Sequence, residues 1–141
     1  MRWPPRSPRE KLAGYYHLPR FIDKTRAYLA GQLPPEYQNN FTKGFDARFL
    51  QFTGIQAEDF IRAVAELKED EAIAKWVQEH ARPHTETELE AWNEEFRNLT
   101  PRDPERIVRM REAAGAAHRT DVTTYFDLID LDEGREVPPR G

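Results

Sequence analysis

Apolar positions recur at helical spacing along most of the chain, and proline, glycine or asparagine breaks each recurrence. The first such segment begins near Pro19, which suits the opening position of a helix because its missing N–H is not needed there, and it stops before Gly31. Steps of 100° put Leu18, Phe21, Ile22, Thr25, Tyr28 and Leu29 on one side, the expected core face. Arg20, Asp23, Lys24, Ala27 and Ala30 fall opposite, on a face expected to meet solvent, and Arg26 lies on the flank. Residues 32–43 carry Pro34, Pro35 and two asparagines and read as a loop, long enough to serve as a lid.

A second helix is expected over Phe45 to Phe52, ended by Gly54, and a third from Ala57 to Lys68 with Phe60, Ile61, Val64 and Leu67 inward. Asp70 reads as the N-cap of a fourth, whose stripe is Ile73, Trp76, Val77 and His80 and which Pro83 stops. Thr85 and Glu88 have the spacing of a capping box before a fifth helix carrying Leu89, Trp92, Phe96 and Leu99. Asp103-Pro104 starts a sixth, expected to reach His118 with Ile107, Met110, Ala114 and Ala117 inward. Asp121 to Leu131 reads as a last short helix, with a strand over the β-branched run Val122-Thr123-Thr124 as the alternative. Residues 1–8, with three prolines, form an extended arm that docks through Trp3, and residues 135–141 a polar tail. The fold class is all-α: a single-domain bundle of about six to seven short helices.

Composition narrows the function classes. A chain of 141 residues suits one core. Without cysteine there is no disulfide framework, thiolate nucleophile or cysteine-held metal. No apolar run approaches the roughly twenty residues that span a bilayer, and the N-terminal residues lack the apolar stretch of a secretory signal. A cytoplasmic location is expected. The net charge of −4 conceals a division: the first fifty residues hold nine Lys/Arg against four Asp/Glu, the remainder twelve against twenty-one. The basic part is expected to face either the acidic part or an anionic partner. The acidic total disfavours a nucleic-acid binder.

Three stretches resemble a known family: Leu18-Pro19-Arg20 with Ile22-Asp23-Lys24 and Arg26-Ala27, then FDARFLQFTGI from Phe45 to Ile55, then TYFDLIDLDEG from Thr124 to Gly134. Together they are similar to the DUF5069 family of bacterial proteins over nearly the whole chain. Its most specific part is the LPR-x-IDK-x-RA helix with the Leu-Ala-Gly exit. The resemblance implies a small domain of unknown function and transfers no catalytic residue.

Candidate chemistry therefore rests on the side chains. Arg20 and Lys24, four apart on a helix, repel by a few tenths of a kcal/mol unless an anion or Asp23 relieves them. With Tyr16 and His17 just before the helix and Arg26 beside the apolar stripe, they form a candidate ligand site: Tyr16, His17, Arg20, Asp23, Lys24 and Arg26. The expected ligand is a small anionic or polar molecule; the alternative is an acidic protein partner docking on the same basic face, and the bland reading is a solvated helix face. Asp23 and His17 are weighed as an acid–base pair. Arg26 is expected to meet either a ligand or an acid of the C-terminal segment, Asp127 or Asp130.

His80 and His84 have the spacing of zinc ligands, but Pro83 breaks the helix they would need, so His80 is expected as a core histidine and no metal is assigned. The acids from Asp127 to Glu133 miss the register of a calcium loop. The segments on either side of Thr53-Gly54-Ile55 superficially resemble a helix-turn-helix, yet the second is too acidic to lie along phosphates. No cofactor is expected, and the sequence decides neither an enzymatic reaction nor an oligomeric state.

Overall fold

A hairpin of two very short strands and eight helices account for the regular structure in the computed structural model, which describes residues 3–139. Met1 and Arg2 of the expected arm, and Arg140 and Gly141 of the expected tail, lie outside the described residues. Strands β1 (Lys11–Leu12) and β2 (Tyr15–Tyr16) pair antiparallel, Lys11 opposite Tyr16. The helices are α1 (Leu18–Leu29), α2 (Pro35–Gln38), α3 (Phe45–Thr53), α4 (Ala57–Leu67), α5 (Asp70–His80), α6 (Glu86–Arg97), α7 (Pro104–Ala113) and α8 (Tyr125–Asp132). The all-α expectation holds. The additional helix is α2, one turn inside the expected loop. The chain divides into two compact units, the first ending at Leu89 and the second beginning at Glu90.

In the first unit α4 packs on both α1 and α5. Phenylalanines from different helices meet in its centre: Phe21 of α1 stacks on Phe60 of α4 at 4.2 Å between ring centroids, and Phe49 of α3 stands edge-on to both at 5.9 Å. All three are fully buried, as are Leu18, Ile22, Ile73 and Val77. Buried rings at such angles gain about 0.5–1.5 kcal/mol per pair beyond the area they remove from water.

Helix α1 departs from its expected two-sided character. Arg20, Asp23 and Lys24 are 6 %, 8 % and 5 % exposed, so the face expected in solvent is interior, whereas Tyr28 and Leu29, expected in the core, are 51 % and 45 % exposed. The cause of the first lies in distant segments that supply opposite charge and cover that face; the cause of the second is position, because both residues stand in the last turn. The chain leaves α1 at Gly31, φ 68°, whose N–H donates to the Tyr28 carbonyl while the Gln32 N–H donates to that of Ala27. This double bond to the last turn needs a left-handed residue, the conformation glycine adopts without penalty.

In the second unit Trp92 and Phe96 of α6 are buried, and Phe96 contacts Phe126 of α8 at 5.1 Å. Val122, Leu128 and Val137 form a further buried cluster, so the expected polar tail contributes an apolar anchor. Asp103 caps α7, accepting from the Glu105 N–H, and Gly115 at φ 72° ends it five residues before His118. The same left-handed exit operates there, which corrects the longer helix expected. Helix α8 starts at Tyr125, with the Thr124 hydroxyl accepting from the Asp127 N–H, so Val122 and Thr123 precede it and belong to neither helix nor strand.

Candidate functional site

Two ionic constellations hold α1. In the first, the arm returns along the helix and places Arg6 between two carboxylates. Its Nε lies 3.0 Å from Asp23 Oδ2 and its Nη1 2.7 Å from Asp70 Oδ2, while its backbone N–H donates to Asp23 Oδ2 at 2.8 Å. Arg26 closes the ring: Nη2 is 2.9 Å from Asp70 Oδ1 and also donates to the Lys68 carbonyl at 2.6 Å, and Nη1 is 3.6 Å from Asp23. Thus Arg26 meets Asp70, while Asp130 receives Arg135 at 3.1 Å. Asp70 is no N-cap. Helix α5 begins with it, Glu69 occupies the cap position, and the Asp70 carboxylate is turned to the two guanidinium groups. The hydrogen bond from Arg6, the largest influence, holds the Asp70 carboxyl below the usual carboxylate range.

Arg20 lies beneath the same arm. Its Nη1 donates to the Arg6 carbonyl at 3.3 Å and its guanidinium sits 5.9 Å from the centre of the Tyr37 ring, which Trp3 meets edge-on at 4.9 Å. The arm therefore docks through Trp3, as expected.

In the second constellation His17 Nε2 lies 2.6 Å from Asp46 Oδ1 and Lys24 Nζ 2.8 Å from Asp46 Oδ2, all three essentially removed from water. The Thr42 N–H adds a bond to Asp46 Oδ2 at 2.9 Å. Burial pushes the His17 imidazole down to about 4, outweighing Asp46. Burial opposes the Asp46 charge, but His17 and Lys24 together still hold its carboxyl below the ordinary value. The consistent state at neutral pH is an ionised Asp46 paired with Lys24⁺, accepting the Nε2–H of a neutral His17. His17 also has φ 75°, a left-handed conformation that costs about 1 kcal/mol in a residue with a side chain and that its backbone bond to the Pro8 carbonyl and its side-chain bond to Asp46 maintain. The carboxylate facing His17 is Asp46, and Asp23 serves the arm. Tyr16 is half-buried, with Lys11 Nζ 4.7 Å over its ring.

The histidine pair of the sequence separates. His84 Nε2 accepts from the Tyr15 hydroxyl at 2.6 Å, and Nδ1–H faces the Thr85 carbonyl at 3.3 Å. His80 is exposed instead of in the core: its ring stacks on Trp76 at 4.4 Å and 20°, and Nδ1–H donates to the Trp76 carbonyl at 2.8 Å.

That stacked pair forms one wall of an open groove of about 400 Å³. Asp59, Arg62, Ala63 and Glu66, spaced to share one side of α4, make the opposite wall, and Gly54, Ile55 and Gln56 the end between α3 and α4. Arg82 fixes this turn. Its N–H donates to the Thr53 carbonyl at 2.7 Å and Nη2 to the carbonyls of Gln51 and Phe52, so a cation sits on the free carbonyls that close α3. Sequence reasoning placed Trp76 on an apolar stripe and missed the groove; the turn resembling a helix-turn-helix and the indole one turn before a polar histidine were the available signals.

None of the helices among the described residues is long and apolar enough to cross a membrane. No curated protein matches the chain. A family model, Domain of unknown function (DUF5069), matches residues 2–135.

Proposed function

This chain belongs to the DUF5069 family, and since a domain of unknown function lends it no activity, we propose from geometry that it binds a small polar molecule in the groove between α4 and α5. The observation that carries the reading is the groove itself. Its volume lies in the range of small-molecule sites, and an indole, an imidazole, two carboxylates and a guanidinium line it. The residues first expected to hold the ligand, Tyr16, His17, Arg20, Asp23, Lys24 and Arg26, act in this reading as the brace behind the site. Four of them are paired within the unit: His17, Lys24 and Arg26 to carboxylates, and Asp23 to the guanidinium of Arg6. A cytoplasmic, bacterial setting is part of the same proposal, and the lack of cysteine is compatible with it.

Amide and indole NMR shifts recorded against mixtures of small acids, amines, sugars and nucleosides test it. We expect at least one compound to move the Trp76 indole N–H and the amides of Ala63 and Gln56, with the effect lost in Trp76→Ala. Compounds that move only α1 residues, or none that move the groove, would overturn it.

A second reading, an interaction module for an acidic protein, is favoured by one observation. Tyr28 and Leu29 are large apolar residues exposed side by side next to the partly exposed Arg26. If this reading holds, Tyr28→Ser abolishes partner binding while leaving the groove titration unchanged.

A further inference from the structure

We infer that the group recognised in the groove is a cation, a primary ammonium or a guanidinium carried on a flat apolar body, in contrast to the anion the basic N-terminal segment led us to expect. The inference rests on the groove being the binding site and adds the sign of the ligand.

Four observations converge on it. The guanidinium groups at the groove are already committed: Arg62 Nη1 lies 3.6 Å from Asp59 Oδ1, one turn back on the same helix, and Arg82, beside Gly54, donates to the carbonyls of Gln51 and Phe52. Glu66, one turn ahead, also lines the groove, so with Asp59 balanced by Arg62 the surplus charge that this side of α4 presents is negative. His80 adds an acceptor. Because its Nδ1–H donates to the Trp76 carbonyl, the neutral ring keeps Nε2 as a lone pair that takes a hydrogen bond from N–H and offers none to a carboxylate or phosphate. The indole of Trp76 completes the set, since an aromatic ring attracts a cation within about 6 Å of its centre and repels an anion there. Its stacking on His80 holds the ring in the wall before any ligand arrives.

Each group acts on a different part of the ligand. Glu66 supplies the surplus charge while Asp59 holds Arg62, His80 Nε2 offers an acceptor for one N–H, and Trp76 with Ala63 and Ile55 the apolar surface for the body that carries the amine. A quaternary ammonium would satisfy the ring and the carboxylates but leave the imidazole lone pair unused, which is why N–H donors are preferred here.

Matched probes at pH 8 test the inference: phenethylamine, 2-phenylethanol and phenylacetate share one body and differ in charge. Binding is followed through the Trp76 indole N–H, assigned by its disappearance in Trp76→Phe. We expect the amine to bind roughly tenfold more tightly than the alcohol and the carboxylate not to bind. We also expect Glu66→Gln and Asp59→Asn to weaken the amine severalfold each without changing the alcohol. Both variants alter exposed side chains and are checked for an unchanged fold by circular dichroism. If the alcohol or phenylacetate binds in the groove as tightly as the amine, the cationic preference is wrong while the groove remains a site. If none of the three moves groove resonances, the inference fails; should the wider mixtures also fail there, the groove reading falls with it.

Discussion

Charged residues crowd two helices of the first unit with opposite outcomes. On α1, Arg20, Asp23 and Lys24 are at most 8 % exposed, and their partners come from far along the chain: Arg6 from the arm, Asp46 from α3. On α4, Arg62 finds its carboxylate three residues away on the same helix, and both side chains remain more than half exposed. A polar helix face becomes interior when other segments bring complementary charge to it, because removing an ion from water is tolerable only with its partner in place. Where the helix neutralises itself locally, no segment is drawn over that face. It stays open, and on α4 it borders a groove. Charge density along the sequence alone therefore does not distinguish a covered helix face from an open one.

The comparison is broken most forcefully at Asp46. Asp46→Ala strips the buried Lys24 and His17 of their shared acceptor and is expected to cost about 3–5 kcal/mol in denaturant unfolding. An equally radical change on the open helix, Glu66→Ala, is expected to stay within about 0.5 kcal/mol. Near-equal costs would mean that α1 is not a brace.

Acid sharpens the same contrast. The unfolded His17 takes a proton near its ordinary 6.5, whereas the buried imidazole refuses one until about 4. The unfolded state therefore binds more protons throughout that window, and stability falls as the pH is lowered, by a loss approaching about 3 kcal/mol at pH 4. Asparagine tolerates the left-handed backbone of residue 17, so His17→Asn is expected to flatten the decline between pH 6.5 and 4, as measured by urea unfolding across that range. Asp46 acts in the same direction lower down, since its depressed carboxyl loses its contribution as the pH falls through its folded value.

A smaller effect is expected at the rim of the brace. Asp70 and Arg26 are about one-third exposed, so solvent screens them. Arg6→Ala is expected to cost about 1–2 kcal/mol and to release the arm, read as loss of the Trp3–Tyr37 ring-current shifts. A double-mutant cycle between Arg6 and Asp70 should give a coupling of about 1 kcal/mol.

Much of this scaffold is legible in the sequence, for local reasons. Pro19 and Gly31 bound α1 to within a residue or two, and Thr85 and Glu88 form the expected capping box, each side-chain oxygen accepting the other's backbone N–H at 3.0–3.1 Å. These signals act over three or four residues. The errors are of two kinds. One is a local signal passed over, as when Gly115 ended α7 within an alanine-rich run that otherwise favours helix. The other is pairing across distance. Asp46 stands 29 positions from His17 and Asp70 stands 64 from Arg6, and helical periodicity says nothing about which acid returns to which base. Of the six candidate residues, His17, Asp23, Lys24 and Arg26 meet charged groups within the unit, and a one-dimensional pattern does not contain those pairings. The groove was hidden for the converse reason, because its two walls look like ordinary amphipathic helices until they are set side by side.

The closed brace on α1 and the proposed cation site on α4 and α5 are told apart by titrating phenethylamine into the wild type, Arg26→Gln and Glu66→Gln while following the Trp76 indole resonance. Affinity is expected to be unchanged in Arg26→Gln and to fall severalfold in Glu66→Gln. Loss of binding in a folded Arg26→Gln, with Glu66→Gln indistinguishable from wild type, would contradict that expectation.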